Sequence, residues 1–442
     1  MKICLTGDSI LFRQLNSRTD PGLSPLFDMI RACDVSFTNL ELVPNDFIGD
    51  PALDMGGTHF GASSRVLDEL KEAGFDLFAA ATNHSLDYSI SGLRKTLDEL
   101  NRRNLRHAGI GLHLEDARRP TYFTHPTGTV SMLSCTSTFA RGQEAAMQTS
   151  VMQGRPGINP LRYSTMHHVS ANEMTSLREI YRKLGLQRVK DDKIQLGFAF
   201  PAPDGVLAFE NLNFQVGQET KVTTTPNPTD TQALHRWIAE ARMVSDTVIL
   251  SIHAHESGYN ASGELDVEIP ADFLVTAARQ AIDVGADIVA CHGPHLLRGL
   301  EIHNGKPIFY SLGNFIGQNE LVERLPIESY MANRVSPDLT PHQLYKARSN
   351  NDAKGFPAET RFWETIMPIG TYHNGKLQSL EIHPVTLGLG QAAHRRGVPS
   401  LAHGEEGRKI LEKFAALSTP FGTGFQKSGS EDDPVLLWRA TA

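Results

Sequence analysis

The chain has 442 residues, with 42 lysines and arginines against 50 aspartates and glutamates, for a formal net charge of −8. Apolar residues make up 40% before glycine is counted, which is ordinary for a globular chain and excludes a disordered or collagen-like one. A mildly acidic chain without basic blocks is a poor match for a polyanion, so no nucleic-acid partner is expected.

The first apolar run, residues 2–7, reads as a short buried strand that stops at Gly7-Asp8. It is too brief for a secretory leader, and no window approaches the ~18–20 apolar residues of a membrane span. A cytoplasmic protein without a membrane span is therefore expected, with an exported form that has lost its leader as the alternative. A second strand, Asp34 to Thr38, ends at Asn39-Leu40-Glu41. Residues 63–73 read as a helix capped by Ser63 or Ser64 and closed by Gly74. The run Leu77 to Ala81 ends at Thr82-Asn83-His84, and Leu93, Leu97 and Leu100 mark a helix over Ser89 to Arg103. Another strand covers 129–135.

Regularity then fails from Arg141 to about Pro228, apart from one helix near Ala171 to Leu184, which marks an insertion serving as a lid or substrate-contacting unit. Alternation resumes with a helix from about Asp230 to Val244 and the strand Thr247 to Ile252, which ends at His253-Ala-His255. Pro270 opens a further helix and Gly285 closes it. The strand Asp287 to Cys291 runs into His292-Gly-Pro-His295, and two shorter strands (299–303, 307–310) lead to Ser311-Leu-Gly-Asn314-Phe315. Strands near 362–370 and 377–383 and a helix near 405–417 follow, and the residues from Gly422 read as a tail. Strands alternating with helices argue for an α/β layered fold. The expected division is a core of 1–140 and 229–317, an insertion at 141–228, and a C-terminal extension at 318–442 packed on the core. Cys4, Cys33, Cys135 and Cys291 form no Cys-x-x-Cys pair and read as small reduced core residues.

Five strand ends carry metal-capable groups: Asp8; Asn39 with Glu41; Asn83 with His84; His253 with His255; and His292 with His295. Open α/β sheets bind ligands at the carboxyl ends of their strands, so these groups are placed to converge. Carboxylate, carboxamide and imidazole together suit Mn, Zn or Fe rather than a thiolate site, with one or two divalent ions expected. His253 and His255 are two apart and leave the same face of their strand. Gly293-Pro294 can fold His295 back beside His292. Asp87, three residues after His84, is placed to orient that imidazole. Other histidines, such as His59, His167, His168, His303 and His403, read as surface or packing residues. P-loop, nucleophile-elbow and zinc-protease helix motifs do not occur, and the glycine-rich pieces near Gly56 and Gly109 lack the dinucleotide fingerprint.

The series Gly-Asp, Asn-Leu-Glu, Thr-Asn-His-x-x-x-Asp, His-x-His, His-Gly-Pro-His and Ser-Leu-Gly-Asn-Phe resembles the CapA-type poly-γ-glutamate capsule biosynthesis proteins, over about residues 1–137 and 229–317. That resemblance implies a metallophosphoesterase-like fold, a four-layered α/β/β/α sandwich around a metal centre. It implies Asp8 and Glu41 as carboxylate ligands, with Glu41 in the bridging place, and Asn83, His253, His292 and His295 as the remaining ligands. His84 resembles the substrate-facing histidine of the phosphoesterase Asn-His motif. Two departures matter. Ile10 stands where phosphoesterases carry a histidine two residues after the first aspartate, and the last motif is His-Gly-Pro-His rather than His-x-His. One of two metal positions is therefore expected to be altered, weak or empty.

The leading expectation is a metal-dependent hydrolase acting on a small-molecule or short peptide-like substrate. A metal-activated water would cleave an amide or γ-glutamyl-type bond in a small carboxylated molecule. His84 would protonate the leaving group, oriented by Asp87, and His255 would share that work. Arg155 and Arg162, near the constrained loop holding Asn159, are candidates to grip an anionic substrate group, and an ordinary loop with solvated arginines fits them equally well. Asn314 is a further substrate candidate. A phosphomonoesterase or phosphodiesterase is the alternative. The loss of histidine at Ile10 favours a third reading, a non-catalytic capsule-polymer binding or assembly component. No feature of the sequence fixes an oligomeric state.

Overall fold

The structure, a computed structural model, describes residues 1–54 and 57–440; Gly56 lies outside the described residues. Two sheets stack face to face. In the first, the parallel strands Lys2–Ile10, Val35–Leu40, Leu77–Ala79 and Arg106–Ala108 are successive neighbours. In the second, Gly128–Thr136, Thr247–His253 and Ile288–His292 are parallel neighbours.

Period-two alternation decides where each layer's apolar surface goes. Ile3, Leu5, Val35 and Phe37 meet Met132, Ile249, Ile288 and Ala290 in the core between the sheets. On the outer face of the first sheet, Cys4 packs in a second core with Leu26, Phe27, Leu70 and Leu97. These belong to the helices Ser24–Arg31, Val66–Ala73 and Ser89–Arg102. On the outer face of the second, Leu133, Leu250, Ile252 and Val289 pack with Leu234, Ile238, Phe273 and Ala277, from the helices Pro228–Met243 and Asp272–Asp283. The order of layers is α/β/β/α, the four-layered sandwich that the family resemblance implies.

Between these strands, residues 163–226 build a separate four-stranded sheet, ordered Leu207–Phe209, Leu212–Val216, Tyr163–Val169 and Lys221–Pro226. Two helices accompany it. Ala171–Lys183 starts on a capping box formed by Ser170 and Glu173. Leu186–Gln195 buries no residue, so it carries no apolar stripe for the sequence to reveal. Tyr163 stacks on Phe273 at 4.2 Å between ring centroids, tying this unit to the second sheet's helix layer. Beside it, Asp230 accepts from Arg162 through Nε and Nη2, both at 2.7 Å, and from Arg118 Nη2 at 3.3 Å. Asp230 and Arg118 are buried while the Arg162 head group is half exposed. Asp230→Ala is expected to cost about 2–3 kcal/mol in urea unfolding, at or below the lower end of the range for breaking a buried pair, because solvent screens Arg162.

The C-terminal region enters the first sheet. Glu364–His373 pairs with Lys2–Ile10, Lys376–Thr386 pairs with Glu364–His373, and Pro434–Arg439 follows. The expected tail after Gly422 is therefore an edge hairpin of Gln426–Gly429 and Pro434–Arg439, with Leu436 buried. All four residues of Gln426–Gly429 are exposed, so no alternation announces that strand. Pro270 also departs from expectation: it ends the strand Leu265–Pro270, and the helix begins at Asp272.

Candidate metal centre

Alternation sends the last residues of the central strands toward the space between the sheets. Ser251 and His253 follow Ile249 on the inner face of their strand, and His292 follows Ala290 on the adjacent one, in register with His253. On the first sheet, Asp8 aligns with Asn39 on one side and Asn314 on the other. That alignment needs glycine: a Cβ on Gly7 would sit 1.9 Å from the Gly313 carbonyl oxygen, and Gly313 itself has φ +67°. Gly293, at φ +121°, has its Cβ position 2.9 Å from the His255 ring and lets the chain turn His295 inward.

The sequence-predicted ligands meet here, joined by His255, which was expected to share the proton transfer and stands instead among the groups that could hold a metal. Asp8, His253 and His292 form one group whose ligand atoms lie within 4.8 Å of one another, and Glu41, His255 and His295 form a second with the same spread. Asp8 Oδ1 is 3.3 Å from His292 Nδ1 and 3.8 Å from His253 Nδ1. His295 Nδ1 is 3.6 Å from both Asp8 Oδ2 and Glu41 Oε2, so it stands between the groups. Asn83 Oδ1 lies 2.8 Å from His253 Nε2, which is 3.1 Å from His255 Nε2. A surrounding shell fixes these atoms. Asn39 Nδ2 and the Gly293 amide donate to the two Asp8 oxygens at 2.8 and 3.0 Å, and Ser251 Oγ meets His292 Nε2 at 2.7 Å. The Ser251 contact leaves His292 Nδ1 to face Asp8.

Burial and neighbours set the charges. Burial alone pushes the Asp8 carboxyl up, but hydrogen bonds from His292 and His295, with charge from His292, hold it well below the usual range. Burial pushes Glu41 well above its ordinary value, and the nearby Asp8 and Asp87 carboxylates add to this. Burial pulls His253 well down and His255 down to about 3, so both are neutral at pH 7, the form that ligates metals.

The residues fit a divalent cation. Both Glu41 carboxylate oxygens are buried and accept no hydrogen bond from any described residue, a costly arrangement for an oxygen pair facing only protein. His253 and His292 face each other through Nδ1 at 3.0 Å, where two lone pairs repel unless a proton or cation lies between. Ile10 is fully buried in the helix-side core, and His255 of the second group supplies an imidazole from the opposite sheet.

His84 sits beside the ligands on the cavity side. Its Nδ1 is 2.8 Å from Asp87 Oδ2, its ring stacks on Phe60 at 4.2 Å, and its Nε2 is 3.9 Å from Glu41 Oε1. The Phe60 amide donates to the same Asp87 oxygen at 2.7 Å, so one carboxylate holds both faces of this stack.

A cavity of about 570 Å³ opens over the centre. Asn83, His84, His255 and His295 form its floor; its walls come from Leu53, Asp54 and residues 57–60 and from 319–357, which include the helices Ile327–Asn333 and Pro341–Arg348. Arg155, Asn159 and Arg162 do not line it. Arg155 is 2.9 Å from the Glu144 carbonyl, Asn159 donates to the Ser134 carbonyl, and Arg162 is taken by Asp230. Asn314 does reach the centre, with Oδ1 2.8 Å from His295 Nδ1. Sequence reasoning missed Phe60, Ser251 and the 319–357 wall. Ser251 had a signal, lying two residues before His253 on a strand; the wall helices bury single residues and so show no apolar periodicity, and the one available signal was the Thr340–Gln343 capping box with Pro341 that opens Pro341–Arg348.

The match to the family model of the bacterial capsule synthesis protein PGA_cap runs over residues 2–319. An uncharacterized protein of Sinorhizobium fredii, y4sH, is 32% identical over 94% of this chain and 89% of its own length. The PGA biosynthesis protein CapA of Bacillus subtilis is 24% identical over 58% of this chain, which spans 47% of that protein. A crystal structure of a Staphylococcus aureus protein described as a 5'-nucleotidase covers 94% of this chain and 58% of its own, at 11% identity and a TM-score of 0.39, too distant a likeness to carry an argument. No helix among the described residues is long and apolar enough to cross a membrane. With the family model covering the strand ends that bear every candidate ligand, the chain belongs to the bacterial capsule synthesis protein family, PGA_cap.

Proposed function

We propose that this protein is a metal-dependent hydrolase that cleaves an amide or γ-glutamyl-type bond in a small carboxylated substrate. One observation carries the reading: two adjoining carboxylate–imidazole groups lie beneath a cavity whose floor takes His255 and His295 from one of them, beside a histidine held by its own carboxylate. Asp8, His253 and His292 would hold one divalent ion, and Glu41, His255 and His295 a second, with Asn83 Oδ1 available beside His253. Such an ion supplies Lewis acidity and a water of lowered pKa. The protein's own groups do the rest. Asp87 holds His84 Nδ1, leaving Nε2 toward the cavity, where it delivers a proton to the departing group. Asn314 fixes the His295 ring.

The substrate class rests on the wall and on the relatives. Arg348 and Lys354 line the cavity and pair with no carboxylate among the described residues, whereas Glu320 opposite them is engaged by Arg396. Glu328 and Asp54 also line it, so an amine-bearing carboxylate suits the wall better than a bare polyanion. The relatives named for PGA and capsule biosynthesis point to γ-glutamyl chemistry.

The deciding experiment reconstitutes the purified chain with Mn, Zn or Fe, counts bound metal, and compares turnover of γ-glutamyl amides with p-nitrophenyl phosphate. Turnover of the amide alone supports the proposal. Phosphate-ester turnover alone replaces it with a phosphoesterase, and stoichiometric metal without turnover of either points to a binding component.

A further inference from the structure

Arg298 is the largest fully buried side chain described, and no carboxylate among the described residues forms an ion pair with it, although the charges of Glu256 and Asp266 act on it from farther off. An unpaired guanidinium inside a protein is costly, so its partners matter. Nε donates to the Val267 carbonyl at 2.9 Å; Nη2 donates to Ser257 Oγ at 3.1 Å and to the His255 carbonyl at 3.4 Å. Nη1 has no partner among the described residues. The charge persists at neutral pH, since burial pulls the group down only to about 10.

The placement of these contacts is specific. Arg298 is three residues beyond His295, and its backbone amide is tied to Ser311. Its head group crosses to the segment leaving the neighbouring strand just where His255 stands. It also reaches Val267 in the strand paired with Ser257–Tyr259. One rigid fork thus joins the two loops that carry His255 and His295, whose rings are 5.4 Å apart between centroids. His295 has a left-handed backbone, φ +62°, which a non-glycine residue keeps only when its surroundings enforce it. The first group needs no such tie, because its three residues sit on strands already held in register.

We propose that Arg298 is a positioning residue that sets the spacing of His255 and His295, and through them the affinity of the Glu41–His255–His295 position for a divalent ion. The inference rests on the two-ion reading above. Loss of the fork frees the His255 loop without touching a ligand atom, so the second ion weakens while the first stays.

The test titrates metal-free protein with Co(II), following visible absorption and calorimetric stoichiometry for the wild type, Arg298→Met, Arg298→Lys and Ser257→Ala. Two ions are expected in the wild type. Arg298→Met is expected to weaken the second by about 10–100-fold, the usual cost of losing a group that orients a ligand. Arg298→Lys, which keeps one donor, is expected to recover part of the loss, and its absorption band to shift toward that of the wild type. Ser257→Ala keeps the buried charge and folds even where Arg298→Met does not, and a smaller loss confined to the second ion is expected from it. Two ions bound with wild-type affinity in Ser257→Ala and either Arg298 variant overturn the inference. A wild type that binds no ion, or only one, overturns the two-ion reading itself and is distinguishable at the first titration.

Discussion

Asp8→Asn is expected to lower metal affinity at least 100-fold and to take turnover to background, with the fold intact. The carboxylate faces three imidazoles, those of His253, His292 and His295, and it is the only anionic member of its group. Its shape is that of asparagine, so the substitution leaves the packing and removes the charge together with one of the two acceptors that Asn39 Nδ2 and the Gly293 amide use. What remains are neutral nitrogens, which hold a divalent ion poorly without an anion beside them. His253→Ala tests the same group from the second sheet. Metal analysis after dialysis is the readout, with circular dichroism and urea unfolding to certify the fold. Full metal content in both variants would sink the ligand assignment. Metal removal from the wild type has a matching signature. A ligand present at ~1,000 times its dissociation constant stabilises the native state by about 4 kcal/mol, so chelation is expected to lower the melting temperature of the wild type by more than that of Asp8→Asn, which keeps only the Glu41–His255–His295 position.

The ligand groups were legible because each sits where a buried strand stops, and a polar residue ending an apolar run is visible without coordinates. Period-two alternation further puts Ser251 and His253, or Ala290 and His292, on one face. Strands alternating with helices indicated a layered α/β fold, whereas the α/β/β/α order was implied only by the family resemblance; in the structure Cys4 and Ile3 face different cores. The cavity wall was illegible for the converse reason. The helices Ile327–Asn333 and Pro341–Arg348 bury only Tyr330 and Leu344, so no apolar periodicity marks them, and only the Thr340–Gln343 capping box announces the second. Arg155 and Arg162 illustrate the limit of reading charge without partners: each has a nearby acceptor, Glu144 or Asp230, that spacing alone does not reveal. The second helix of the insertion failed likewise, having no buried face.

His84→Ala is expected to leave metal content unchanged and to lower kcat by about 10²–10⁴-fold on an unactivated amide, the range for losing a positioned proton donor. Its Nε2 stands 3.9 Å from Glu41, near enough to address the reacting bond and, unlike the neighbouring imidazoles, held by a carboxylate on its far nitrogen. That carboxylate, with the Phe60 stack, fixes the ring so that one nitrogen is always presented to the cavity. The leaving group supplies the discriminating readout. An amine departing from an amide must be protonated, whereas p-nitroanilide-type groups leave with far less help, so the loss is expected to shrink as the leaving group becomes more acidic. Asp87→Asn is expected to show the same trend at smaller amplitude, because the ring remains but its orientation and tautomer are no longer enforced. A loss in His84→Ala that is equal for good and poor leaving groups would instead assign the imidazole to substrate binding, and KM rather than kcat would then carry the change.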